Sequence, residues 1–359
     1  MIQTNNRKIN IDILRIFATI GVIVIHVTAP KWEAVSVDSM GYMVYTMWDS
    51  LVRWSVPIFV MISGALFLNP QKTLDVKKLY TKNIMRMVTA FVFWSAVYSA
   101  YAYIGRMLKM EFPWKEIVLK FIRGEGHLWF IFMIVGLYMV TPLLKKMIET
   151  ENLLKYFLVI SFMFNIVLYT VIELLPLLIT DEFFTSFFKA LVTNYKKAGF
   201  NLILGYSFYF VLGQYLMSHK ISKKMRLVLY GFGVAGVLVT FLLVMCHTKL
   251  TDRPQGAFFG YLSLPVAMQS VAVFVFFKNM KWQPKGLVLK MILAVSKYSF
   301  GIYLVHLLVL HIVDHFTGER FETMNSLIYV PIMTVIIFAG SLMVSAVLNK
   351  IPILKKYIV

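Results

Sequence analysis

The chain has 359 residues, 59% of them hydrophobic and 15% charged, with 36 Lys+Arg against 17 Asp+Glu for a formal net charge of +19. A pI near 9.8 taken alone suits a nucleic-acid binder, but a mean hydropathy of +0.74 is far above that of a soluble basic domain, so nucleic acid is excluded as a partner. The composition is that of a polytopic membrane protein, and at roughly 20 apolar residues per span plus connections the length holds about ten spans and no sizeable soluble domain.

Arg7 and Lys8 precede an apolar run that ends near Val27, Thr28 and Ala29, a loose imitation of a secretory signal. The run carries Arg15 and His26, which a signal core rarely holds, so it reads as a first span. Apolar runs follow at 43–68, 84–104, 127–144, 153–179, 200–217, 227–246, 257–277, 287–313 and 327–349, after the first at 11–28. They are far longer than barrel strands and lack period-two alternation, which predicts helices. The expected fold is all-α: a polytopic bundle of about ten transmembrane helices in a single domain, 1–359. Cys246 is the only cysteine, so neither an intrachain disulfide nor a Cys-rich metal site is available.

Lys and Arg in short loops set the orientation. With the N-terminus in the cytoplasm, the inner segments 1–10, 69–86, 145–155, 218–226, 278–290 and 350–359 hold 21 Lys+Arg and 3 acids, against 12 and 11 outside. Both termini are then cytoplasmic. Two outer segments, 113–124 and 181–199, are amphipathic. Trp114, Ile117, Val118, Phe121 and Ile122 share one face of the first, and Phe184, Phe187, Phe188 and Leu191 one face of the second. Each fits a helix lying on the outer membrane surface or one packed as a helical hairpin.

Ionisable groups inside spans are costly and therefore functional candidates. Arg15 and His26 are eleven residues apart, which returns to nearly the same helix face about 16 Å along the axis, with His26 towards the outer side. Asp49 and Arg53, one turn apart in the second span, lie at a depth overlapping His26. Topology also brings His127, at the start of the fourth span, and Tyr303 and His306, in the ninth, into the outer half of the membrane. A histidine beside an apolar cavity can act as a general base, and arginine suits phosphate. Structural readings compete: His26 as a helix-to-helix hydrogen bond, Arg15 snorkelling to the inner interface while paired with Asp12, and Asp49 with Arg53 as structural glue. The histidines lie on different spans without ligand spacing, so no metal is expected.

At these residues the sequence resembles a known family, the integral-membrane acyltransferase family 3. Asp12 and Arg15, followed by ten residues and His26, are similar to the family's opening signature. Phe59, Ser63 and Gly64 match its second-span Phe-x-x-x-Ser-Gly element, and Arg86 the basic residue opening the third span. The segment from Gly126 to Phe130, with Leu137-Tyr138 and Thr141-Pro142-Leu143-Leu144, resembles the branch that contains the O-acetyltransferase of enterobacterial common antigen. Ser299-Phe300-Gly301-Ile302-Tyr303-Leu304-Val305-His306 is similar to the late Ser-x-x-Ile-Tyr-Leu-x-His element. The Trp-Ser-Leu-x-x-Glu element of many members is absent, replaced by the His127 segment, and no hydrolase-like domain is fused.

The resemblance implies transfer of an acyl group, usually acetyl, from cytoplasmic acyl-CoA to a hydroxyl of an extracytoplasmic glycan or lipid-linked sugar, in a bacterial plasma membrane whose lipid surrounds the protein. Arg15 and Arg86, with Asp12 beside Arg15, then hold the phosphates of acetyl-CoA. His26 deprotonates the acceptor hydroxyl or carries the acyl group briefly. Arg53, paired with Asp49, stabilises the developing oxyanion, and His127, Trp129, Tyr303 and His306 shape the acceptor end. The rival readings are a transporter of a small polar solute such as an amino acid, or a glycan exporter, and a membrane scaffold. The sequence lacks the paired, interrupted short helices of an inverted-repeat carrier, and a scaffold gives no reason for Arg and His buried at matched phase.

Overall fold

A backbone amide in lipid finds no solvent to bond, and the long apolar runs of this chain fold as helices accordingly. The computed structural model describes residues 9–109, 112–178, 181–199, 205–317 and 324–358, and among them there is no strand. Nine helical segments among the described residues are long and apolar enough to cross a membrane. The protein is thus a multi-pass membrane protein. The remaining expected run, 200–217, is described from Gly205 as a 14-residue helix, Gly205–Ser218; its opening residues lie outside the described set.

The first span is one unbroken helix, α1 (Ile9–Ala34), and it is the hub of the bundle. The second divides into α2 (Met40–Val52) and α3 (Ser55–Phe67) at a turn through Arg53 and Trp54. Pro57 explains the break: it has no N–H to give the Arg53 carbonyl, and the ladder resumes only where Ile58 N donates to Trp54 O at 3.1 Å. The third span is entered through one turn, α4 (Val76–Lys78), capped by Asp75, and a π-helical stretch, Leu79–Ile84, before α5 (Met85–Leu108).

The outer segment 113–124 forms α6 (Trp114–Arg123), tied to α5 by an Arg106–Glu116 ion pair of 2.6 Å. Ile117 and Phe121 are half-buried, while Trp114, Val118 and Ile122 remain exposed, so this helix both packs and presents an apolar edge outward. Gly124, with φ 69°, ends α6 in the left-handed region, where an added Cβ would also meet Phe91 at 2.9 Å. One 3-10 turn, Gly126–Leu128, then leads into α7 (Trp129–Met147).

The fifth span is α8 (Glu151–Ser161), a π-helical stretch Phe162–Val167, and α9 (Leu168–Leu178). The outer segment 181–199 carries α10 (Glu182–Ala198), on which Phe184 and Phe187 are exposed; the side chains of Phe188 and Leu191 lie outside the described residues. There follow α11 (Gly205–Ser218), α12 (Lys223–Thr251), α13 (Leu264–Asn279), α14 (Gly286–Thr317), α15 (Ser326–Leu348) and the short α16 (Pro352–Tyr357).

Hydrogen bonds at the two ends of the bundle follow the alternation that the charge count requires. At the basic end, Asn10 donates to Met280 O at 2.7 Å and Lys145 to Asn69 O and Lys72 O, both at 2.7 Å. At the other end, Trp32 donates to Thr46 at 2.9 Å and Tyr42 shares a 2.6 Å bond with Thr248. Around α1 pack α2, α3, α13, α14 and α15. Leu14, Ile58 and Phe210 centre a buried cluster towards the basic end, and Ile23, Tyr98 and Val330 a second towards the other.

Candidate active site

Between these two clusters lies a cavity of about 360 Å³, bounded by α1, α3, α5, α7 and α14 and by the segment leading into α13. Arg15 and His26 both line it, as their helical phase requires. At the basic end its wall carries Arg15, Asn83, Arg86 and Lys297; at the outer end it carries His26, His127, Tyr261 and Tyr303. The lining includes three Arg or Lys side chains and no carboxylate. Field from those cations is therefore concentrated at one end, which suits an anionic group there.

Asp12 is buried behind Arg15 rather than in the cavity wall. Ser296 donates to Asp12 Oδ1 at 2.5 Å and accepts from Arg15 Nη1 at 3.3 Å, while Arg15 Nη1 stands 3.6 Å from Asp12 Oδ1. This three-membered link fixes the guanidinium against α14 at the cavity wall. The Arg86 guanidinium lies 5.2 Å above the Phe300 ring, which orients it from the same helix, α14.

At the outer end three imidazoles converge. The His26 ring centroid is 5.0 Å from that of His306 and 6.2 Å from that of His127, and His127 is 5.0 Å from His306. Among the described residues, no group of His, Cys, Asp and Glu has metal-holding geometry. His127 owes its place to the 3-10 turn before α7, where Tyr303 Oη donates to its backbone carbonyl at 2.6 Å. Trp129 extends the wall, stacked on Tyr261 at 6.0 Å with Tyr206 at 5.6 Å. Flat, adjacent aromatic faces of this kind offer apolar surface to a ring-shaped ligand, with hydroxyls at the edges.

Asp49, Arg53 and His306 are not among the lining residues. Arg53 pairs with Asp49 at the break between α2 and α3, its guanidinium 4.1 Å above the Phe259 ring and beside Tyr261, which does face the cavity. His306 is 1% exposed and sits behind His26 and His127.

A family model described as an acyltransferase domain matches residues 8–346. The chain belongs to the integral-membrane acyltransferase family 3. No curated protein and no solved structure matches it. It is therefore a membrane-bound acyltransferase, and in its cavity ionisable side chains from α1, α5, α7 and α14 meet those of the segments leading into α7 and α13.

Sequence reasoning assigns no site role to Asn83, Tyr138, Tyr261, Ser296 or Lys297, all of which line that cavity, although Tyr138 belongs to a matched motif. Lys297 is a charged residue inside the apolar run 287–313, and Ser296 lies three residues before the matched Ser299 element. Asn83 falls in the π-helical stretch, a distortion frequent at functional sites but without a sequence signature.

Proposed function

We propose that this acyltransferase moves an acetyl group from cytoplasmic acetyl-CoA to a hydroxyl of an extracytoplasmic glycan or lipid-linked saccharide across a bacterial plasma membrane. The observation that carries this reading is a single cavity with cations at its basic end and imidazoles at its outer end. A donor with phosphates at one end and a thioester at the end of a long arm has that same division. The residues fit such a donor: Arg15, Arg86 and Lys297 are placed for the anionic end, and the Ile25, Ile62 and Ile134 side chains for the arm.

In this mechanism His26 accepts the proton of the acceptor hydroxyl as its oxygen attacks the thioester carbonyl. The acyl carbon–oxygen bond forms, the carbon–sulfur bond breaks, and His26 returns the proton to the departing thiolate. His127 and Tyr261 face the reacting carbonyl, and Arg53 supports Tyr261 from behind rather than touching the acyl group. Trp129 and Tyr303 bound the acceptor end. The resemblance of the His127 segment to an O-acetyltransferase branch supports a sugar hydroxyl as acceptor.

The test is transfer of label from acetyl-CoA to the glycolipid fraction of membranes carrying the protein. His26→Ala and Arg15→Ala proteins that insert normally should lose transfer by at least about 100-fold. Parental rates in both would refute the mechanism. Uptake of an amino acid into vesicles without acetyl-CoA would favour a carrier instead.

A further inference from the structure

His306 is buried, does not line the cavity, and yet carries a ring in contact range of both histidines that do. Its Nδ1 stands 2.6 Å from the Tyr303 carbonyl oxygen. A carbonyl only accepts, so Nδ1 carries the hydrogen, and in a neutral imidazole Nε2 is then a bare acceptor. That Nε2 is buried and has no hydrogen-bond partner among the described residues. An unpaired acceptor in a low-dielectric interior is costly, and here it belongs to a ring packed against two other imidazoles, which calls for an explanation.

The segment bearing His306 is held from two sides. Tyr303 Oη donates to His127 O at 2.6 Å, fixing the turn before it. Tyr98 Oη donates to Leu304 O at 2.9 Å and accepts from Leu308 N at 3.1 Å, fixing the turn after it. Two tyrosines whose rings pack on the histidine cluster thus fix the backbone on either side of a side chain that does not line the cavity.

We propose that His306 is a positioning residue for the acyl-transfer reaction: its Nε2 accepts an N–H from His26, fixing the tautomer in which the other His26 nitrogen faces the acceptor hydroxyl. The structure leaves that acceptor open, and ring centroids 5.0 Å apart are the separation of two imidazoles joined by one hydrogen bond of about 3 Å, so a turn of the His26 ring closes the bond. His26 gains a proton on its cavity-facing nitrogen during attack and loses it to the thiolate, while the His306 bond persists throughout. No proton moves onto His306, so the step balances without any other group. The arrangement orients a base by an acceptor behind it, the logic of an orienting third group in nucleophile–base systems. His127 also lines the cavity, with both ring nitrogens buried and without a hydrogen-bond partner among the described residues.

This inference rests on the role of His26 proposed above. It is tested in the full-length protein in membranes with labelled acetyl-CoA as donor, measuring kcat and the donor KM for His306→Ala, His306→Asn and His306→Gln. Glutamine can place its amide oxygen where Nε2 lies, whereas the asparagine amide reaches only the Nδ1 position. His306→Ala and His306→Asn should lose at least about tenfold in kcat with donor KM unchanged within about twofold, and His306→Gln should recover most of that loss. A parental kcat in the alanine protein, equal losses in all three variants, or a loss confined to KM would each overturn it. Where alanine prevents insertion, the glutamine–asparagine comparison decides alone. His26→Ala separates the two readings: if it is inactive while the His306 variants are parental, only this inference fails; if it is active, the underlying mechanism fails as well.

Discussion

Gly64 in α3 and Gly213 in α11 mark a helix crossing with no room for a Cβ, and alanine at either should force the two helices apart. A Cβ at Gly64 would overlap the Phe210 carbonyl and lie 2.8 Å from Phe210 Cα; one at Gly213 would lie 2.6 Å from both the Met61 Cα and its carbonyl carbon. Carbon atoms pack at about 3.5–4.0 Å, so each substitution requires a separation near 1 Å, and backbone cannot rotate away as a side chain can. Overpacking costs about 1–3 kcal/mol, and backbone obstruction belongs at the top of that range. Gly64→Ala and Gly213→Ala should each lower the melting temperature in mild detergent by about 5 °C or more.

Because one separation relieves both clashes, the double variant should fall short of the sum by about 2 kcal/mol. Gly105 and Gly136 are the internal controls: a Cβ at either meets nothing within 4 Å, so alanine there should be neutral or stabilising by up to ~1 kcal/mol. The separation also moves Phe59, Ile62 and Ser63, which line the cavity, so donor KM should rise in the Gly64 variant. Melting temperatures within a degree of the parent, or full additivity in the double variant, would refute the reasoning.

Two further outcomes follow from the cavity. Arg86→Ala should raise the acetyl-CoA KM by about tenfold with little change in kcat, since the guanidinium is assigned to ground-state binding; an unchanged KM removes it from the donor site. Tyr303→Phe deletes the bond to His127 O while keeping the ring, so it should cost about 1 kcal/mol of stability, read as a lower melting temperature in detergent, and lower kcat through the displaced turn; an unaffected enzyme would show that this bond holds nothing that matters.

Depth in the membrane was legible from the sequence, whereas direction around each helix axis was legible only in part. Hydropathy and charge place a residue along the membrane normal, so His26, His127 and His306 could be assigned to one layer before any packing was known. Arg15 and His26 could further be assigned to one face, because a single unbroken helix carries phase reliably across eleven residues. Between helices no such ruler exists. Arg53 and His306 share the right depth yet sit behind the cavity wall, since their azimuth is set by how α2 and α14 dock on α1. The break at Arg53 did have a signal in Pro57, which removes one ladder bond; the π-helical stretch that carries Asn83 had none.

The Ser63-Gly64 pair shows why a short motif can mean more than its chemistry. Successive helical residues point about 100° apart, so the two cannot serve one surface. Ser63 faces the cavity, its hydroxyl donating to Phe59 O at 2.8 Å, while Gly64 faces the Phe210 backbone. A residue larger than glycine beside that serine would move the serine itself. The element therefore couples cavity shape to the backbone contact between α3 and α11, and its glycine is a constraint on the site although it does not line the cavity.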